Sequence, residues 1–164
     1  MSLINKNNFP RVPYGLSVHG KEEINAVIKV LKTSTQMGKN VALLEKKVAK
    51  LFSKKYGLMM NSGSSSIMVA MEALKFPEGS EIITPALTFG TTVSYIVRNN
   101  LIPVFVDVKK GTYCIDEDKV EKLITKKTKA ILAPLVLGNI VNWEKISKIV
   151  KKRKILLIED SADT

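Results

Sequence analysis

Cysteine, histidine and tryptophan each occur once in this 164-residue chain, as Cys114, His19 and Trp143. A single cysteine forms no internal disulfide, which fits a reducing compartment, so a cytoplasmic location is expected. One histidine beside one cysteine makes no zinc site, and no metal is expected. No apolar run approaches the ~20 residues of a membrane span. Met1 to Arg11 is polar and lacks the apolar core of a secretory signal, so no membrane partner or export is expected. Acidic residues are also scarce: 15 against 26 basic ones, a net charge of +11. Such a balance raises the question of nucleic acid. Yet the lysines are spread over every predicted helix, in doublets such as Lys46-Lys47, Lys54-Lys55 and Lys126-Lys127. Aromatic residues make up only 6% of the chain and do not interleave the lysines as base-stacking platforms. The pattern reads as a Lys-rich solvated surface, not a nucleic-acid face, and its field would draw in an anionic substrate.

Apolar content of 45% and charged content of 25% are ordinary for a globular protein. A chain of this length is one domain by the usual prior and hides roughly 70% of its unfolded surface. Residues 1–20 have no periodicity, and Pro10, Pro13, Gly15 and Gly20 mark an extended N-terminal arm. Ile24, Val27, Ile28 and Leu31 form one stripe, which predicts a helix over Lys21 to Lys32. A loop with Gly38 leads to a second helix, Val41 to Lys54. Tyr56 to Asn61 reads as a strand and Ile67 to Leu74 as a helix, with Ser62 to Ser66 as the turn between them.

From there strands and helices alternate. Strands are expected at Glu81–Thr84, Leu101–Val108, Lys129–Leu137 and Ile155–Glu159. Helices are expected at Gly90–Asn99, Asp116–Thr125 (with Asp116 as cap) and Trp143–Arg153. The strands are continuous Val/Ile/Leu runs, as when both faces of a sheet are covered. The fold class is therefore α/β, a three-layer α/β/α arrangement around a mostly parallel sheet. No Pro/Gly/Ser-rich linker divides the chain.

Three stretches carry chemistry. Asn61-Ser62-Gly63-Ser64-Ser65-Ser66 lies between a predicted strand and a helix. A helix start offers free N–H groups and a positive dipole end to a phosphate, Gly63 permits close approach and the serines add donors. The same residues also suit a plain helix cap. They match neither a Walker loop nor a dinucleotide fingerprint. In Thr84-Pro85-Ala86-Leu87-Thr88-Phe89-Gly90-Thr91-Thr92, Phe89 is placed either to lie on a flat heterocycle or to fill the core. Asp160, at the end of the last strand, is placed to pair with a protonated ring nitrogen or to cap a helix. Phosphate cradle, ring stacker and pyridinium partner, all at carboxyl ends of predicted strands, together describe pyridoxal 5′-phosphate better than a nucleotide.

From about Tyr14 onward the chain resembles the first half of the DegT/StrS-type sugar aminotransferases, which have the large-domain fold of type I pyridoxal-phosphate enzymes. The matching segments include Asn61-Ser62-Gly63-Ser64-Ser65, Pro77-Glu78-Gly79-Ser80-Glu81-Ile82-Ile83-Thr84-Pro85, Thr88-Phe89, Ile102-Pro103-Val104-Phe105-Val106-Asp107-Val108 and Ile158-Glu159-Asp160. The resemblance implies that residues 21–164 are a partial cofactor-binding large domain. By it Gly63, Ser64 and Ser65 meet the cofactor phosphate, Phe89 stacks on the ring and Asp160 binds its nitrogen. It also implies a nucleotide-sugar substrate, a homodimer or higher oligomer, and a place in deoxy- or amino-sugar synthesis for surface polysaccharide.

Two departures point to one branch. Asp163 stands where aminotransferases usually have Gln or His, near the cofactor's phenolic oxygen. Leu135-Val136-Leu137-Gly138-Asn139 stands where they tend to have a His-x-x-Gly segment. These, with Phe89-Gly90-Thr91-Thr92, look more like the branch that removes the C-3 hydroxyl of nucleotide-linked 4-keto-6-deoxyhexoses. That branch uses pyridoxamine 5′-phosphate and a His in place of the Schiff-base Lys. The resemblance puts that Lys or His beyond Thr164, so the chain is expected to be an N-terminal fragment without catalytic residues of its own. A non-catalytic oligomeric scaffold that kept the fold is the rival expectation, and it binds no cofactor.

Overall fold

The computed structural model describes residues 12–13, 15–36 and 38–164. Most of the expected arm therefore lies outside the described residues, and positions 15–20 carry no regular element. The chain forms two compact units, residues 1–57 and 58–164. No helix among the described residues is long and apolar enough to cross a membrane.

The first unit holds α1 (Lys21–Thr33) and α2 (Lys39–Leu51). Glu23 reaches back to accept the Gly20 amide at 2.6 Å, satisfying one of the helix's orphan donors. The α1 stripe of Ile24, Val27, Ile28 and Leu31 is amphipathic as its spacing predicts, yet α1 contains no buried residue and α2 only Ala49.

The second unit runs α3 (Gly63–Leu74), β1 (Glu81–Pro85), α4 (Gly90–Arg98), β2 (Ile102–Val106), α5 (Glu117–Leu123), β3 (Thr128–Pro134), α6 (Trp143–Arg153) and β4 (Leu156–Asp160). Its sheet has the order β2-β1-β3-β4, and every pairing is parallel. Side chains alternate across it. Ile82, Ala130 and Leu132 meet Ile67 and Met71 of α3 and Ile96 of α4 on one face. Ile83, Ile131 and Ala133 meet Val120 of α5 and Ile146, Ile149 and Val150 of α6 on the other. The three-layer α/β/α expectation is met, with the core split between the two faces of β1 and β3.

Proline marks where the strands stop. Pro85 ends β1 and Pro134 ends β3, each lacking the N–H that would extend its ladder. Pro103 sits inside β2, which lies at the sheet edge, where a missing donor is tolerated.

Two stretches differ in kind from expectation, beyond shifts of a few residues at element ends. Tyr56 to Asn61 forms no strand, and Tyr56, Leu58 and Met59 are exposed. An apolar run becomes a strand only by entering a sheet ladder, and the ladder here joins β1 through β4. The serine stretch, expected as a turn, is the first turn of α3 itself. Ser62 is the cap, its hydroxyl accepting the Ser65 amide at 3.1 Å, so Gly63, Ser64 and Ser65 are the first three helical residues.

Candidate cofactor site

In a parallel sheet all carboxyl ends lie on one side, and ligands bind where the strand order reverses. Here the chain steps from β1 out to β2, then returns to the other side of β1 as β3. The crevice is therefore expected beside the segments that follow β1, β3 and β4.

The start of α3 lies among these segments. A Cβ added at Gly63 would sit 3.5 Å from the Cβ of Ala162, so the first turn of α3 packs against the turn after β4. Ser64 Oγ lies 3.2 Å from Thr91 Oγ1, which ties the same turn to the first turn of α4, beside Phe89. Three stretches far apart in sequence thus meet through one helix start. Within it, Ser62 Oγ takes the Ser65 amide and the Ser62 carbonyl takes the Ser66 amide at 3.0 Å. The amides of Gly63 and Ser64 have no intrahelical acceptor. Two N–H groups, the half-buried hydroxyls of Ser64 and Ser65 and the positive helix end make a donor set suited to a phosphate.

Phe89 is the residue before α4, and it is 71% exposed. That excludes the core role and leaves a large ring free at the carboxyl end of β1. In the same segment the hydroxyl oxygens of Thr84, Thr88 and Thr92 are buried without a partner among the described residues. Each such atom costs about 1–3 kcal/mol unless a bound group or water meets it.

Asp160 is the last residue of β4 and is half-buried. Its carbonyl accepts the Leu135 amide at 2.9 Å, and its Oδ1 accepts the Ala162 amide at 3.2 Å. The second contact fixes the direction of the carboxylate as a side-chain turn does. Asp163 is exposed in the turn that follows. Leu137 and Gly138, after β3, both adopt left-handed backbone, with φ of 53° and 76°. The Gly138 position suits a residue without Cβ.

An ion pair with a buried carboxylate supports this side of the sheet, and nothing in the residue pattern signals it. Glu117, 4% exposed, accepts the Asn142 amide at 2.8 Å and pairs with Lys109, which follows β2. Burial alone would raise the Glu117 carboxyl, but Lys109 and the Asn142 amide outweigh it and hold the group below its ordinary range. The Lys109 ammonium is held protonated above its usual range, chiefly by Glu117. Asp118 is lowered by Lys145 at the start of α6. The loops after β2 and β3 are therefore locked to one another, as the Cys114 thiol donating to the Asn139 carbonyl at 3.6 Å also indicates. Thr91 is the other residue that sequence reasoning passed over. It lay inside a quoted motif, but only the fold brings it to Ser64.

A parallel sheet with helices on both faces is the large-domain arrangement of the fold type I pyridoxal-phosphate transferases. Residues 18–164 match the DegT/DnrJ/EryC1/StrS aminotransferase family, and the chain belongs to it. It is 36% identical over 159 residues to GDP-4-keto-6-deoxy-D-mannose 3-dehydratase of Yersinia pseudotuberculosis, a match covering 93% of this chain and 40% of that protein. It is 33% identical over 162 residues to dTDP-4-dehydro-2,6-dideoxy-D-glucose 3-dehydratase of Saccharopolyspora spinosa, covering 94% of this chain and 35% of that one. A crystal structure of GDP-4-keto-6-deoxymannose-3-dehydratase with a trapped PLP-glutamate geminal diamine superposes with a TM-score of 0.86 at 35% identity. It covers 92% of this chain and 41% of the other. The chain thus spans about two fifths of the length of these relatives.

Proposed function

We propose that this chain supplies the cofactor-holding part of a cytoplasmic enzyme that uses pyridoxal or pyridoxamine 5′-phosphate on a nucleotide-linked sugar. Residues 21–164 are read as part of its large domain. The observation that carries the reading is the meeting of α3's first turn with both Ala162, two residues past Asp160, and Thr91, two residues past Phe89. The residues fit the cofactor: a donor-rich helix start for its phosphate, an exposed ring for its heterocycle and a fixed carboxylate for its ring nitrogen.

When bound, the cofactor supplies a ring that accepts the electron pair released at the substrate carbon. The chain's own residues bind and orient it. The amides of Gly63 and Ser64, with the Ser64 and Ser65 hydroxyls, hold the phosphate. Phe89 covers one face of the ring and keeps water from it. Asp160 holds a proton on the ring nitrogen, because an ion pair there favours the charged form. Asp163 is the residue that would act on the cofactor's phenolic oxygen.

Of the family's two chemistries we favour the 3-dehydratase of a 4-keto-6-deoxyhexose over amino transfer. Asp163 and Leu137-Gly138-Asn139 support that choice, as do the 3-dehydratases among the relatives. The enzyme is read as a homodimer or higher oligomer serving deoxysugar and surface-polysaccharide synthesis.

Equilibrium dialysis against pyridoxamine 5′-phosphate tests the reading. This probe has no aldehyde to react with the many lysines. Asp160→Ala is expected to weaken binding about 10- to 100-fold, as loss of a charged hydrogen bond does. Equal binding by wild type and variant would remove the role given to Asp160. No binding by either would favour a non-catalytic scaffold.

A further inference from the structure

Serine hydroxyls in helices commonly turn back onto the carbonyl four residues earlier. Ser66 does so, donating to the Ser62 carbonyl at 3.1 Å, and Ser94 donates to the Gly90 carbonyl at 2.8 Å. Ser64 does not. Its fourth preceding residue, Met60, lies outside α3, and its hydroxyl meets Thr91 Oγ1 at 3.2 Å instead. Both are the second residue of their helix, so the contact brings the positive starts of α3 and α4 together. Two such ends repel unless an anion lies near both.

We propose that Thr91 is a positioning residue for the phosphate contact of Ser64, donating its hydroxyl proton to Ser64 Oγ so that the Ser64 proton is committed to the phosphate. A hydroxyl has one proton to give and two lone pairs to receive. With Thr91 filling one lone pair, the Ser64 rotor is fixed and its single donor points away from Thr91. The same pair joins the phosphate cradle to the element carrying Phe89, so phosphate and ring are gripped in one register. This inference rests on the cofactor reading above.

Dialysis of the 164-residue chain with pyridoxamine 5′-phosphate, and with pyridoxamine as the phosphate-free comparison, separates the possibilities. Thr91→Val, which keeps the shape, should weaken pyridoxamine phosphate binding about three- to tenfold. Thr91→Ser should restore it to within about twofold, since only the hydroxyl is required. Pyridoxamine binding should not change in either. In a Ser64→Ala background, Thr91→Val should add no further loss, because it acts through Ser64. Should Val in place of Thr91 unfold the chain, as circular dichroism would show, Thr91→Ala takes its place with the same expectation. Wild-type affinity in the Val variant, or an equal loss of pyridoxamine, overturns the role of Thr91 and leaves the cofactor reading standing. If wild type binds no pyridoxamine phosphate, the cofactor reading falls and Thr91's role falls with it.

Discussion

Glu117 shows how one residue sets the shape of the site's surroundings without touching a ligand. It is buried, accepts the Asn142 amide and pairs with Lys109, which is 37% exposed. Removing it strands the Asn142 amide and leaves Lys109 partly buried without its chief partner. Because Lys109 reaches solvent, the cost is closer to that of an unmet hydrogen bond than of a fully buried broken pair. Glu117→Ala is expected to lose about 1–3 kcal/mol in urea denaturation. The pH dependence follows from the sign of the shift. The Glu117 carboxyl lies below its ordinary 4.5 when folded, so its contribution is complete above that pH and disappears as pH falls through the lowered value. The stability gap between wild type and Glu117→Ala should hold at neutral pH and close in acid. A gap that stayed constant into acid would contradict the ion pair. Phe89 is the contrasting residue. It is exposed and buries little, so packing within this chain does not account for it.

At the scale of elements, β3 is the centre of the second unit. It pairs with β1 and β4, and it ranges Ala130 and Leu132 on one face against Ile131 and Ala133 on the other. Ile131→Ala should cost about 2–5 kcal/mol, the range for emptying a buried aliphatic site. The matching fall in melting temperature is roughly 2–4 °C per kcal/mol for a chain of this size. A loss under about 1 kcal/mol would mean the packing collapses around the gap more freely than a close-packed core allows. These elements were legible in the sequence because continuous Val/Ile runs bounded by Pro, Gly and Asp have few other readings. Asp116 caps α5 as expected, accepting the Asp118 amide. Tyr56 to Asn61 misled because strand formation depends on joining a sheet, which local sequence does not encode. The start of α3 misled because serine disfavours helix interiors yet favours the first turn. That shift of four residues matters, since it turns Gly63, Ser64 and Ser65 from a loop into a helix start.

For the whole molecule, the parallel sheet decides where chemistry can occur. One strand order reversal, between β1 and β3, gathers the ends of several strands on one side. The residue types of the site were readable in order along the chain, but not their meeting: Gly63 with Ala162 and Ser64 with Thr91 are products of topology. The net charge of +11 gives the chain a field that favours anions such as a phosphate or a nucleotide. Family membership rests on residues 18–164, while substrate and reaction belong to a protein of which this chain matches about two fifths. The central claim is that a single cofactor spans α3, Phe89 and Asp160. A crystal structure of the chain with pyridoxamine 5′-phosphate tests it most directly. The account predicts the phosphate against the Gly63 and Ser64 amides, the ring on Phe89 and the ring nitrogen at the Asp160 carboxylate. A cofactor found with its phosphate at another helix start, or with its ring away from Phe89 and Asp160, would contradict it.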